Sequence, residues 1–219
     1  MWLGGWTGSS LPSDPFDVES LNESQKNTFD QIKTTFSTNG LTDPDLLRFL
    51  VARNFDLAKT TTMIEAYIPW RSEMLPVSKS SIENELKVGK CSYLGKSKEG
   101  FGIVYWDASL HDPNDRDVDE VIRCVVWWVE YAISQSDHHQ IIVVLDRSNM
   151  TRSQIDMELF TTLSSTLSNN YPERLNKVLI YPLNWLFRSM WNVVQFMIDQ
   201  KTRQKVCIFF LLNQSSTKY

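Results

Sequence analysis

Nine residues, GKCSYLGKS from Gly89 to Ser97, hold the glycines, lysine and hydroxyl of a phosphate-gripping loop. Five positions separate Gly89 from Gly95, where such a loop needs four, and it must follow a strand and open a helix. This stretch instead leads into the apolar run GFGIVYWD, so nucleotide binding is not expected there. The pair His138 and His139 offers a base, and Asp146, ending QIIVVLD, a carboxylate to orient it. At ~3.3 Å per residue, an extended segment holds the two more than ~20 Å apart. The histidines therefore read as solvated surface, without a third ligand nearby for zinc. Asp146 reads as a strand-end or helix-capping group. There is no G-x-S-x-G elbow. Cys91, Cys124 and Cys207 are odd in number and widely spaced, which fits reduced, buried thiols rather than a disulfide framework. No catalytic residue, metal or cofactor is expected, and the chain is not expected to be an enzyme.

Two other stretches carry more. In NYPERLNKVLIYP, Asn170 to Pro182, a proline, Glu173 and Arg174 stand directly in front of a run that reads as a buried strand. From Trp185 to Ile198 a very apolar helix is expected, with Arg188, Asn192 and Gln195 at i, i+4 and i+7 forming one narrow polar stripe. Two readings of that helix stay open. It is either a deeply buried core helix, or one that covers an apolar ligand on one side and meets a membrane interface on the other.

Both stretches need a scaffold to position them. At 219 residues the chain is long enough for one large domain or two small ones. Its net charge of −4 gives no chain-wide basic field for nucleic acid, while eight tryptophans and eleven phenylalanines supply more aromatic surface than a small core needs. Residues 1–20, beginning MWLGGWTGSS, lack the pattern of a secretory signal and read as a flexible tail. No run reaches the ~20 apolar residues of a transmembrane helix. Helices are predicted from Leu21 to Phe36, from Thr42 or Asp43 with Pro44 in the first turn, and from Leu57 to Glu73, where Pro69 should bend or break the last turn. Beyond them the pattern alternates. Gly100–Asp107, QIIVVLD, KVLIYP and KVCIFFLL read as strands, and Val118–Ile133, Ser153–Asn169 and Trp185–Ile198 as the helices between them. The fold class is α/β, with an N-terminal helical subdomain over 21–75 and a mostly parallel sheet lobe over 82–219.

Three blocks, LLRFLVARNFDLAKT…WR (Leu46 to Arg71), NNYPERLNKVLI, and WLFRSMWNVVQFMIDQKTRQKV, together resemble the CRAL-TRIO lipid-binding family, especially its phosphatidylinositol-transfer members. The resemblance runs from about Leu46 to Val206. It implies a sheet that floors a hydrophobic lipid pocket closed by a mobile gate helix, with Trp185, Phe187, Met190, Trp191, Val194 and Phe196 on the gate and pocket wall. It also implies that Glu173, Thr202 and Lys205 read an inositol phosphate headgroup, with Arg174, Asp199 and Arg53 completing the set. The side-chain types suit the chemistry, because a phosphate needs cationic and hydroxyl donors and inositol hydroxyls need an acceptor carboxylate.

Three departures qualify the expectation. Asn54 stands where the family often has a second lysine. Ile141 and Val143 stand where phosphatidylcholine carriers place small hydroxyl residues. The sequence ends at LNQSSTKY, before the helix and tail that close the family domain. The expected protein is a cytoplasmic, monomeric carrier, peripheral on membranes, whose partners are phosphatidylinositol or a phosphoinositide and the membrane surface. A protein-interaction or membrane-recruitment domain of the same fold, and a carrier of another hydrophobic small molecule, are the alternatives.

Overall fold

The computed structural model describes residues 16–182 and 200–208. The chain divides between Ile68 and Pro69 into two compact units.

The first unit is helical. Helix α1, Glu23–Thr35, opens with a capping box in which the Asn22 side chain accepts from the Gln25 N–H and the Gln25 side chain accepts from the Asn22 N–H. Helix α2, Asp43–Ala52, repeats the device with Thr42 and Asp45, and takes Pro44 in its first turn, where no N–H is needed. Phe29 and Ile32 of α1 and Leu46, Leu47, Phe49 and Leu50 of α2 are buried. Helix α3, Leu57–Met74, carries the boundary between the units. Of the two outcomes expected at Pro69, a break does not occur, and the helix continues to Met74. The missing N–H costs one rung of a long ladder, which the flanking turns outlast.

The second unit is a five-stranded sheet in the order β1-β2-β3-β4-β5, identical to the chain order. The strands are β1, Cys91–Lys96; β2, Gly102–Asp107; β3, Ile141–Asp146; β4, Leu175–Tyr181; and β5, Val206–Ile208. The β1–β2 pair is antiparallel and the remaining pairs are parallel. The expected α/β architecture, a helical part followed by a mostly parallel sheet, is what the structure shows. β1 was not foreseen. It forms from within the stretch whose glycines imitate a phosphate loop, and a register shift between Tyr93 and Gly95 kinks it. The short helix α4, Glu83–Val88, precedes it and ends on left-handed Gly89.

Helices α5, Val118–Gln135, and α6, Met157–Asn170, pack on the same face of the sheet. Val121, Val125, Val129 and Ala132 of α5 and Leu159 of α6 share one core with Cys91, Val104 and Ile141. Asp117 caps α5 and Asp156 caps α6, which begins at Met157, four residues later than the start expected at Ser153, because Arg152–Gln154 forms a separate 3-10 turn. α5 lies so close to β2 that a Cβ on Gly102 would sit 2.3 Å from the Ala132 carbonyl oxygen.

Side chains alternate along a strand, so the residues between those of the core face the other way. Val104 and Val143 pack toward α5. Ile103 and Ile142, then Tyr105, Val144, Leu179 and Cys207, stand in register on the opposite face. This second face is apolar across its middle, with exposed Lys177 in register with Ile142 at one end and Asp146, which accepts from the Tyr105 hydroxyl, at the other; apart from buried Ile142, its apolar residues are half-buried.

Candidate functional site

The parallel strands give the sheet two chemically different edges. At the edge where they begin, Tyr171 caps the end of α6 and the chain turns through Pro172 and Glu173 into β4. Glu173 holds a left-handed φ of 56°. Its carbonyl accepts a hydrogen bond of 2.9 Å from the Gln140 side chain. Arg174 donates from its guanidinium to the His139 carbonyl at 2.9 Å, and its own carbonyl accepts from the Ile141 N–H at 2.8 Å. The turn is thus bolted to the start of β3 through its backbone, which leaves the Glu173 carboxylate to be aimed by the backbone twist.

That carboxylate meets Lys205. The short helix Gln200–Gln204 carries Thr202, whose carbonyl accepts the Lys205 N–H at 3.0 Å, and the Lys205 carbonyl accepts the Val178 N–H at 2.9 Å. Both side chains converge, with Lys205 Nζ 3.2 Å from Glu173 Oε2. They are 25% and 15% exposed, so the pair is neither sealed in the core nor loose in solvent.

Of the expected headgroup residues, the structure therefore brings together Glu173 and Lys205. It places Arg174 in the same turn with its guanidinium on the His139 carbonyl, and Thr202 one turn before Lys205. Arg53 caps the end of α2 in the first unit. Asp199 and the gate residues Trp185, Phe187, Met190, Trp191, Val194 and Phe196 lie outside the described residues. Ile141 packs in the α5 core and Val143 against it. The β3 residues on the opposite face are Ile142 and Val144, which are equally aliphatic.

At the other edge, where the strands end, lies a buried polar chain that the sequence did not reveal. Lys90, next to β1, pairs with Glu85 of α4 at 2.8 Å and points Nζ at His111 Nδ1, 3.3 Å away. His111 Nε2 is 3.0 Å from Asp156 Oδ2. Arg116 contacts both Asp156 oxygens, with its terminal nitrogen 3.2 Å from Oδ1, and reaches Glu158 at 2.7 Å. Since an ammonium only donates, Nδ1 must accept and Nε2 must carry the hydrogen donated to Asp156. Burial holds the His111 pKa below its ordinary value, as do the Lys90 and Arg116 charges, against the opposing pull of Asp156. Burial would raise the Asp156 carboxyl, but hydrogen bonds from Arg116, the Leu159 N–H and His111 outweigh it and hold the group well below the usual carboxylate range. His111 and its partners lie 21 and 45 positions apart in sequence, too far for any local motif to announce them.

The two histidines singled out earlier do not form a site. His138 is not simply solvated: its Nε2 donates to the Glu99 carbonyl at 2.8 Å and its ring packs on Phe101 at 4.8 Å. His139 takes a left-handed φ of 53° in the turn before β3. Asp146 ends its strand as expected, accepting from the Ser148 N–H and the Tyr105 hydroxyl, both at 2.8 Å. The Tyr105 hydroxyl is pushed up to about 12 by burial and by Asp146. Burial likewise pushes the Cys124 thiol up to about 12, and the Cys91 thiol well above its usual range, so neither is a nucleophile near neutral pH. Among the described residues no group of three His, Cys, Asp or Glu side chains could hold a metal ion, and no helix is long and apolar enough to cross a membrane.

Comparison with known proteins places this geometry in a family. The chain is similar to the CRAL-TRIO domain-containing protein C3H8.02 of Schizosaccharomyces pombe, 26% identical over 87% of this chain and 49% of that protein. It is similar to the phosphatidylinositol transfer protein CSR1 of Eremothecium gossypii, 26% identical over 74% of this chain and 41% of that protein. It also resembles the human tyrosine-protein phosphatase non-receptor type 9, 21% identical over 74% of this chain and 28% of that protein. The chain thus spans half or less of the length of these curated relatives. The crystal structure of Sfh5 has the same fold, with a TM-score of 0.73 over 86% of this chain and 81% of that one at 16% identity. The model of the CRAL/TRIO domain matches residues 86–215, more than half of the chain, which belongs to the CRAL/TRIO domain family.

Proposed function

We propose that this chain takes one phospholipid, phosphatidylinositol or a phosphoinositide, against the apolar second face of its sheet and reads the headgroup with Glu173, Thr202 and Lys205. The observation that carries the reading is that face itself. α5 and α6 pack on the other side, while Ile103, Tyr105, Val144, Leu179 and Cys207 stand together on this one, which supports its use as the floor under a lipid's acyl chains. Two acyl chains carry roughly 30 methylenes, each worth about 0.8 kcal/mol on burial, or about 20–25 kcal/mol gross. A lipid leaving a bilayer needs replacement surface on that scale.

The Glu173–Lys205 pair stands at the edge where β4 and β5 begin, at the rim of the same sheet. Lys205 offers charge-assisted donors to a phosphate, while Glu173 can accept from inositol hydroxyls. Each neutralises the other until a headgroup arrives, so neither charge is stranded in a half-buried place. The similarity to a phosphatidylinositol transfer protein supports this choice of headgroup. Aliphatic Ile142 and Val144 provide no hydroxyl for a choline headgroup, so phosphatidylcholine is not expected to compete.

The test is mass spectrometry of the lipids retained by the purified chain after incubation with a mixed-lipid extract. Stoichiometric inositol phospholipid is expected, and its loss in a folded Glu173→Ala, Lys205→Ala double variant. Retention unchanged in that variant would remove the headgroup assignment. A second reading, a recruitment domain without exchangeable lipid, is favoured by the similarity to a phosphatase of which the match spans only 28%. A folded wild-type chain that emerges empty would favour it.

A further inference from the structure

The polar chain at the strand-end edge has a design that packing alone does not require. His111 and Lys90 are 5% and 3% exposed, so neither side chain has solvent to satisfy it. The imidazole bridges three segments. Lys90, held by Glu85 of α4, lies beside the first residue of β1. His111 sits in the connection from β2 to α5, Arg116 in the same connection nearer α5, and Asp156 at the cap of α6. The Trp106 ring of β2 closes the site, 6.2 Å from the imidazole and 5.7 Å from Lys90 Nζ. The backbone repeats the connection, with the Asp107 N–H on the Lys90 carbonyl at 2.8 Å.

One proton undoes this arrangement. His111 works as a bridge only while Nδ1 accepts from Lys90 and Nε2 donates to Asp156. A second proton turns Nδ1 into a donor aimed at an ammonium 3.3 Å away. Lys90 cannot discharge the conflict, because Glu85 holds it from behind, and Asp156 cannot turn wholly to the imidazolium, because Arg116 shares it. The charged groups facing the ring are thus Lys90 and Arg116 on the repelling side and Asp156 on the attracting side, with Glu85 and Glu158 engaged by those cations.

We propose that His111 is a pH-sensitive clasp: neutral, it ties the β2–α5 and β3–α6 connections to the start of β1, and its protonation releases them while the rest of the sheet stays folded. The conclusion does not depend on which ligand the chain carries. It rests on the bridging geometry, and the burial that lowers the His111 pKa agrees with it.

The chain contains three histidines, so a nitrogen-detected NMR titration of the imidazoles resolves each in the unmodified protein. At about pH 7.5 His111 is expected neutral with its hydrogen on Nε2, and it is expected to titrate below the ordinary value of about 6.5. Hydrogen exchange, corrected for the intrinsic rate, is read on the same samples. Between the ordinary value of about 6.5 and the lower His111 midpoint, the opening constant of amides in residues 108–117 and 151–159 should rise by up to about tenfold per pH unit, the slope of a one-proton linkage, and level off below the midpoint. His111→Gln keeps a donor and an acceptor but cannot take the proton, and should abolish the rise. The proposal is overturned by an Nδ1–H tautomer, by a His111 charged at neutral pH, or by protection at this edge that is unchanged through the titration. A variant that retains the rise overturns it equally, and should the variant fail to fold, the titration of the wild-type chain decides alone.

Discussion

Glu173 occupies a backbone conformation that a glycine would adopt without cost, at a φ of 56°. A left-handed conformation costs an L-residue about 1–2 kcal/mol, and strain of this kind persists where a side chain is needed in one direction. Here the side chain is the carboxylate aimed at Lys205. The strain also supplies a cleaner probe than alanine. Glu173→Gly relieves the left-handed cost and loses about 0.5–1 kcal/mol to the unfolded chain's added freedom, so its stability should lie within about 1 kcal/mol of wild type. Glu173→Ala keeps the strain and loses the ion pair, so it should be the less stable of the two in urea denaturation. Both should lose inositol-lipid retention. An alanine variant clearly more stable than the glycine variant would mean that the turn relaxes and that the carboxylate is not held by the backbone.

At the scale of elements, α5 approaches β2 closely. The Ala132 carbonyl lies where a Gly102 Cβ would be, and backbone cannot swing aside as a side chain can. Gly102→Ala should therefore cost about 2 kcal/mol, in the range of overpacked cores. A denaturation midpoint unchanged by this substitution would show that the helix can shift freely. The parallel strands were legible because burial on both faces demands unbroken Ile, Val and Leu, as in IIVVL. β1 was not, since CSYLGK lies at the sheet's margin, mixes polar with apolar residues and carries a register shift between Tyr93 and Gly95, so no period of two survives. Helix α6 was legible from its leucines, but its start depended on which of several polar residues capped it. The structure gives that role to Asp156, whose other oxygen contacts are with Arg116 and His111. The Glu173–Lys205 pair joins positions 32 apart, and only the family resemblance linked them; neither residue stands out by periodicity.

For the whole molecule, the ionisable groups fix the direction in which pH acts. His111 has a folded-state pKa below its unfolded value, so the unfolded chain binds more protons there and stability falls as pH drops below about 6.5. Asp156 in the second unit and Asp45 in the first are also held low. Burial would raise each, but hydrogen bonds and a neighbouring arginine outweigh it, so their contributions are present above about 3.9 and are lost below it. Urea titrations should thus show stability declining in two stages on acidification, the first absent in His111→Gln. A single decline confined to strongly acidic pH would show that His111 is not held neutral by the fold. The identity of strand order and chain order bears on how the molecule is made. Each strand emerging from the ribosome finds its neighbour already in place, and no finished pair has to open to admit a later one. The last pairing is delayed, because residues 182–205 must be synthesised before β5 exists. At about 5–20 residues per second that interval is on the order of one to five seconds. Throughout it β4 presents the unpaired backbone of Val178 to Ile180, so a holding chaperone would find its purchase there.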